Sequence, residues 1–367
     1  MSKSYIIPPG RAPRNLYTAE DFAAQRRFFA ERPALAATPL HHLTGLAASL
    51  GLRSLLVKDE TARFGLNAFK AAGAMFAVTT LVERGRIAPG DTLVCASEGN
   101  HGRAVARAAR DNRCAARVYL ADSAAPSRIS AIESEGATVV KVPGTYDDAV
   151  RTMAGDASAN GWTVISDTSW KDYDEIPRLI MLGYTRLMDE AEASWLERPD
   201  VIFVQAGVGG LLAAVACWAD FRYGLDRPAV VGVEPETAAC VQHSIIHGQP
   251  TTLSGPFDSV MAGLRCGEMS PVAFDALSTL VDGYVAIEDR WAFDAVRRLA
   301  TPLGGDARVT AGASGAAGLG GVLATLGDGR LTDLRARLRL NGHCRVLVLV
   351  TEAVTDPVVF EQALSRG

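Results

Sequence analysis

The chain has 367 residues, 48% of them apolar, with 37 basic and 41 acidic side chains and a formal net charge of −4. That length and apolar content supply core enough for two domains. The charges are spread without long runs, so no basic face for nucleic acid is evident and the expected partner is a small molecule.

The first stretch, MSKSYIIPPGRAPRN, has only three consecutive apolar residues before two prolines. This is too short for a signal or a membrane span, so no membrane association and a cytoplasmic location are expected. Cys95, Cys114, Cys217, Cys240, Cys266 and Cys344 show no metal-ligand spacing. No metal site and no disulfide scaffold are expected from them, and most read as small buried hydrophobes.

The stretch RFGLNAFKAAGAMFAV, Arg63 to Val78, places a lysine at the start of an apolar helix. Gly65 and Asn67 read as a turn and an N-cap, so the helix opens near Ala68 with Lys70 in its first turn. The positive helix end and the apolar neighbours Phe69, Ala72, Gly73 and Phe76 both lower a lysine pKa, which predicts an available nucleophilic amine. A snorkelling surface lysine is the bland alternative.

From Thr92 onward short apolar runs alternate with helical periodicity: TLVCAS, NHGRAVARAARDN, ARVYLA, SRISAIESEG, ATVVKV, DDAVRTMAGDASANG, WTVISD. Repeated β–α order of this kind predicts an α/β fold with parallel sheets covered by helices on both faces. After an amphipathic stretch, Ile176 to Glu197, a second series runs through VIFVQA, LLAAVACWADF, AVVGVEP, helical segments to Arg297, and the late strand RVLVLVT. Within this second series HGQPTTLSGPFDSVMAGLRCGEMSP has no clean period and predicts a long functional loop.

Three glycine-marked turns stand out. In CASEGNHGRAVA a strand ending near Ser97 passes through Gly99, Asn100, His101 and Gly102 into a helix, leaving N–H groups to receive a carboxylate or phosphate. In VQAGVGGLLAAV, Gly207, Gly209 and Gly210 open an apolar helix in the manner of a phosphate nest. It is not a full dinucleotide fingerprint, because Leu212 stands where a glycine or alanine is wanted. Glu234, ending the next strand, could still serve as a ribose-binding acid, so a nucleotide-dependent oxidoreductase is the reading from another class. In TAGASGAAGLGG, residues Gly312, Ser314, Gly315 and Gly318 read as a packing turn.

Taken in order, RFGLNAFK, SEGNHGR, SDTSWKDY, AGVGG, VEPE, MAGLRCGE, ASGAAG and TEAVTD resemble the diaminopropionate ammonia-lyase family. These are pyridoxal-phosphate enzymes of fold type II, the tryptophan synthase β-like fold shared with threonine dehydratases. The resemblance runs from Lys58 to the C-terminus. It implies a large cofactor-binding domain, 1–84 with 190–367, and a small domain, 85–189, closing over the substrate. Lys70, following Phe69, would link covalently to pyridoxal phosphate, and Gly207, Val208, Gly209 and Gly210 would hold its phosphate. Asn100 would hydrogen-bond the phenolic oxygen and Thr351 the ring nitrogen. The segment of Ser97, Gly99 and His101 would receive the substrate carboxylate.

The resemblance also implies that Asp167 removes the α-proton of the L isomer. Glu98, where the family pattern reads aspartate, would serve the D isomer. Ala313 replaces a family glutamate and Ala353 a family glycine. The implied activity is α,β-elimination on 2,3-diaminopropionate or a close β-substituted alanine; β-replacement or a different β-substituent is the alternative. A homodimer is implied, and Cys240 and Cys266 match family cysteines that could pair, although cytoplasmic reduction argues for free thiols.

Overall fold

The computed structural model describes residues 4–8, 12–97 and 99–365. Eleven strands form its sheets: β1 Tyr5–Ile6, β2 Leu40–His42, β3 Ser54–Asp59, β4 Thr92–Ala96, β5 Ala115–Ala121, β6 Thr138–Val142, β7 Thr163–Val164, β8 Val201–Gln205, β9 Ala229–Pro235, β10 Gly283–Ile287 and β11 Arg345–Val350. A seven-stranded sheet has the order β1-β10-β9-β8-β11-β3-β2, and a four-stranded sheet the order β6-β5-β4-β7. All pairs are parallel except the two edge pairs, β1 with β10 and β2 with β3.

The apolar runs of the sequence are the strands buried on both faces. Every residue of β8 and β10 is buried, as a parallel sheet covered by helices requires. Helix Gly210–Tyr223 buries ten successive residues, Gly210 through Ala219. One hydrophobic cluster joins Leu56, Ile202 and Leu347 of the large sheet to Leu93, Val118 and Leu120 of the small one. Helix Lys70–Glu83 packs in that shared core against helix Glu175–Tyr184. Gly73 permits the crossing, since a Cβ there would lie 2.4 Å from Tyr184 Cε1.

One sequence expectation changes. The glycines of TAGASGAAGLGG do not form a turn: they begin helix Ala313–Gly327, which is buried on every side from Ala313 to Thr325. Its small residues serve close packing, and a Cβ on Gly315 would sit 2.4 Å from the Glu352 carbonyl. The long segment from His247 to Pro271 is, as expected, mostly irregular, with one short 3₁₀ turn at Ala262–Leu264.

Strand order decides where a ligand can sit. In the large sheet β8 leads to β9 on one side and has β11 on the other, and in the small sheet β4 lies between β5 and β7. At such switch points the loops leaving the carboxyl ends diverge and open a crevice. The loops so placed are Ala206–Gly210 and Thr351–Ala353 from the large sheet, and Ser97–Gly102 and Ile165–Ser169 from the small one.

Candidate active site

Lys70 is the first residue of its helix, and the helix start is clamped to the loop after β11. Phe69 N–H donates to Thr351 O at 3.0 Å, Ala353 N–H donates to Asn67 O at 2.9 Å, and Ala68 bridges Glu352. Asn67 is therefore not the N-cap: it takes a left-handed conformation, φ 60°, and Phe69 occupies the cap without a side-chain bond.

Phe64 is also left-handed, φ 49°, so the approach to Lys70 is a strained path. A buried ionic cluster holds it. Arg63 Nε donates to Glu60 at 2.6 Å and its Nη2 to Glu190 at 2.7 Å, while Lys58 Nζ donates to Glu190 at 2.7 Å. Removing one member of such a cluster typically costs about 3–5 kcal/mol, because a charge is left buried without its partner.

Lys70 Nζ donates to Asp167 Oδ2, and His101 Nδ1 lies 3.9 Å from the same oxygen. His101 is buried, with Nε2 against the Ile165 carbonyl at 2.8 Å. The expected low lysine pKa is overturned here. Burial does pull the ammonium down, but the adjacent Asp167 carboxylate outweighs it and raises the Lys70 pKa above its ordinary value. Burial likewise opposes the Asp167 charge, and Lys70 and then His101 outweigh it, holding that carboxyl well below the usual range.

The AGVGG turn forms a cradle. Gly209 has φ 90°, and a Cβ on it would lie 2.7 Å from Leu277 Cδ1; a Cβ on Gly207 would lie 3.0 Å from Cys266 Sγ. Among the described residues the N–H groups of Gly207, Gly209 and Gly210 have no acceptor, while that of Val208 is directed at the Cys266 sulfur. A run of free N–H groups at a helix start suits a phosphate. Cys240 and Cys266 are free thiols on either side of this turn, with Cys240 Sγ 3.4 Å from Gly207 O.

At the carboxyl ends of β4 and β11, Asn100 Nδ2 donates to Glu352 Oε2 at 2.6 Å. Gln205 Nε2 donates to Thr351 Oγ1 at 2.7 Å, so the Thr351 hydroxyl keeps its own proton to offer. In the Ser97–Gly102 turn part of the expected anion site is already used. Ser97 N–H donates to Tyr119 O, and Gly99 and Gly102 N–H donate to Ser97 Oγ. The N–H groups of Asn100 and His101, at the helix start, have no acceptor among the described residues. Glu98 lies outside the described residues.

Glu234 is not a ligand-binding acid. Its carboxylate oxygens accept the N–H groups of Val241 and Gln242, both at 2.8 Å, and burial pushes its pKa up to about 8. The ribose-binding reading fails because both oxygens are spent on a helix start.

Three residues were not singled out by sequence reasoning. Gln205 left a signal, a polar residue ending an otherwise apolar strand. Glu352 sits in the TEAVTD motif but draws its partners from distant segments. Tyr146 left no signal. Its ring is 45% exposed, its hydroxyl donates to Ala96 O at 3.4 Å, and that hydroxyl feels the charges of Asp167 and Lys70.

The crevice thus combines an amine held by a carboxylate, a glycine turn with free N–H groups, and further hydrogen-bonding groups, a set that fits pyridoxal phosphate. The family model for pyridoxal-phosphate dependent enzymes matches residues 32–352. Diaminopropionate ammonia-lyase of Escherichia coli strain K12 is 34% identical over 96% of this chain and 93% of its own length. That of Salmonella typhimurium strain LT2 is 33% identical over 93% and 91%. The structure of the Escherichia coli enzyme in complex with an aminoacrylate-PLP azomethine reaction intermediate superposes with a TM-score of 0.90 at 32% identity, over 98% of this chain and 96% of that one. The chain belongs to the pyridoxal-phosphate dependent enzymes of fold type II, in the diaminopropionate ammonia-lyase family.

Proposed function

We propose that this enzyme catalyses α,β-elimination on 2,3-diaminopropionate, giving pyruvate and two molecules of ammonia. The observation that carries the reading is the Lys70–Asp167 pair beside the glycine turn, where a Cβ on Gly210 would lie 4.0 Å from Asp167 O. When bound, pyridoxal phosphate withdraws electrons from the substrate's α-carbon, so that its C–H becomes acidic and the β-amino group can leave.

Lys70 is the covalent attachment point, and Phe69 fixes it through the bond to Thr351 O. Gly207, Val208, Gly209 and Gly210 hold the phosphate. Asn100 donates to the phenolic oxygen. Thr351 donates to the ring nitrogen, a direction supported by Gln205 filling its acceptor side. The Ser97, Gly99 and His101 segment receives the substrate carboxylate through the free N–H groups of Asn100 and His101. Asp167, ionised at neutral pH, accepts the α-proton of the L isomer. Glu98 serves the D isomer. The enamine released after loss of the β-ammonia hydrolyses in water to the keto acid and the second ammonia.

The enzyme works in the cytoplasm as a homodimer, with residues 85–189 as the small domain closing on the rest. A second reading, elimination of another β-substituent, is supported by Ala313. It borders a partly enclosed cavity of about 50 Å³, lined also by Glu352, Ser314 and Arg265, where the family carries a larger acidic side chain. The test has two parts. Purified protein should show a visible band that borohydride removes, and both enantiomers of diaminopropionate and a panel of β-substituted alanines should be assayed for keto acid. A colourless protein refutes the proposal, and keto acid from other alanines only selects the second reading.

A further inference from the structure

The crevice contains a buried carboxylate to which the reaction above gives no role. Glu352 follows Thr351 at the end of β11 and is only 7% exposed. Its Oε2 accepts Asn100 Nδ2 at 2.6 Å, and the Ser314 hydroxyl also hydrogen-bonds it. Ser314 Oγ is in turn fixed by Gly263 N–H at 2.9 Å. The Glu352 backbone is pinned as well, by the bridge to Ala68 and by Gly312 N–H donating to its carbonyl at 3.2 Å. The side chain has little room to turn away, since even a Cβ on Gly312 would lie 3.1 Å from Oε1. Burial pushes its pKa up, while the Ser314 and Asn100 bonds and the charges of Arg128 and Lys70 favour the ionised form.

An asparagine amide has a donor end and an acceptor end that look alike in shape, and only its partners decide which way it faces. A carboxylate accepts only. It therefore forces the Nδ2 end of Asn100 inward with one N–H bound, and leaves the second N–H of that nitrogen to point elsewhere. Without Glu352 the amide is free to flip and present its carbonyl oxygen, which would repel an oxygen anion.

We propose that Glu352 is a positioning residue that locks the Asn100 amide with an N–H turned toward the cofactor's phenolic oxygen. This rests on pyridoxal phosphate occupying the crevice as proposed above.

The test compares Glu352→Met, which keeps volume but accepts no hydrogen bond, with Glu352→Gln, which keeps an acceptor. Asn100→Ala and the double variant Glu352→Met/Asn100→Ala complete the cycle. The readouts are the dissociation constant of pyridoxal phosphate for the cofactor-free protein, the position of its visible band, and the thermal midpoint before cofactor is added. Glu352→Met should weaken cofactor binding about tenfold or more and move the band as Asn100→Ala does. Glu352→Gln should stay within about threefold of wild type, and the double variant should be no weaker than Asn100→Ala, since coupled residues are non-additive.

Wild-type binding and an unmoved band in Glu352→Met would overturn the proposal, as would losses that multiply in the double variant. Should Glu352→Met not fold, Ser314→Ala reads the same coupling. It should weaken binding in the wild-type background and change nothing when Asn100 is already alanine; an equal loss in both backgrounds overturns the proposal. A wild-type protein that takes up no cofactor overturns the occupancy of the crevice, and this inference with it.

Discussion

Replacing Asp167 by asparagine separates base catalysis from cofactor binding. The amide is isosteric, so the packing beside His101 and a hydrogen bond to Lys70 survive, but an amide does not take a proton at neutral pH. In the wild type Lys70 holds the Asp167 carboxyl well below its ordinary range, so it is fully ionised at working pH and ready to accept. A positioned general base is worth about 10²–10⁴ in rate, which is about 2.7–5.4 kcal/mol of barrier at 1.36 kcal/mol per decade. The expected result is a fall of that size in kcat/KM for L-diaminopropionate, with cofactor occupancy unchanged. The assay is pyruvate formation from each enantiomer at matched occupancy, read by the visible band. D-isomer turnover should be little affected, because its proton lies on the opposite face. An L-isomer rate within about threefold of wild type would show that another group abstracts the proton and would sink the assignment.

Lys70→Ala should abolish turnover and the borohydride-fixed adduct while the protein still folds, as alanine is a good residue in a helix; the cofactor found fixed to another lysine would refute the role. Gly209→Ala forces a side chain onto φ 90° with Leu277 2.7 Å from the new Cβ, and should cost about 1–3 kcal/mol of stability and weaken cofactor binding by about tenfold, measured by thermal melting and cofactor titration. Wild type should turn over the D isomer more slowly than the L. Glu98→Asp, which pulls the carboxylate back by one methylene, should raise D-isomer kcat/KM by up to about a hundredfold, and equal D and L rates in the wild type would contradict the argument.

The β–α series was legible because parallel strands buried on both faces leave uninterrupted apolar runs, as VIFVQ and RVLVLV show. Strand β3 is harder to see. Its SLLVKD ends in charges, and only the structure shows Lys58 buried against Glu190. Helix Ala313–Gly327 was illegible for a related reason. Its glycines weaken any helix propensity signal, and the contacts they allow, against Glu352 and the strands beneath, come from elsewhere in the chain. The candidate site residues named from the sequence sit in short motifs at strand ends and helix starts, where local turn chemistry speaks. Gln205, Glu352 and Tyr146 meet partners that folding alone brings near. Asn100 and Glu352 are separated by 252 positions, and no local pattern can register that meeting.

The Lys70 pKa is an instructive case, since both local influences, helix start and apolar surroundings, point down and the folded site sends it up. The largest contribution to the reversal is the Asp167 carboxylate, delivered by the loop after β7, and with Lys70 as the proposed attachment point it bears on how the cofactor is taken up. Attachment requires the neutral amine. With the pKa raised, the neutral fraction across pH 6–9 is smaller than for a free lysine and grows about tenfold per pH unit. The rate of cofactor attachment to the cofactor-free enzyme should therefore climb with pH throughout that window. In Asp167→Asn the largest opposing charge is gone and burial weighs more heavily, so the Lys70 pKa falls and attachment near pH 7 becomes faster than in wild type, even though turnover of the L isomer is lost. Stopped-flow growth of the visible band against pH, for both proteins, measures this directly. Identical pH profiles would mean that Asp167 does not govern the protonation of Lys70. A slower variant would mean that the carboxylate assists attachment rather than restraining it.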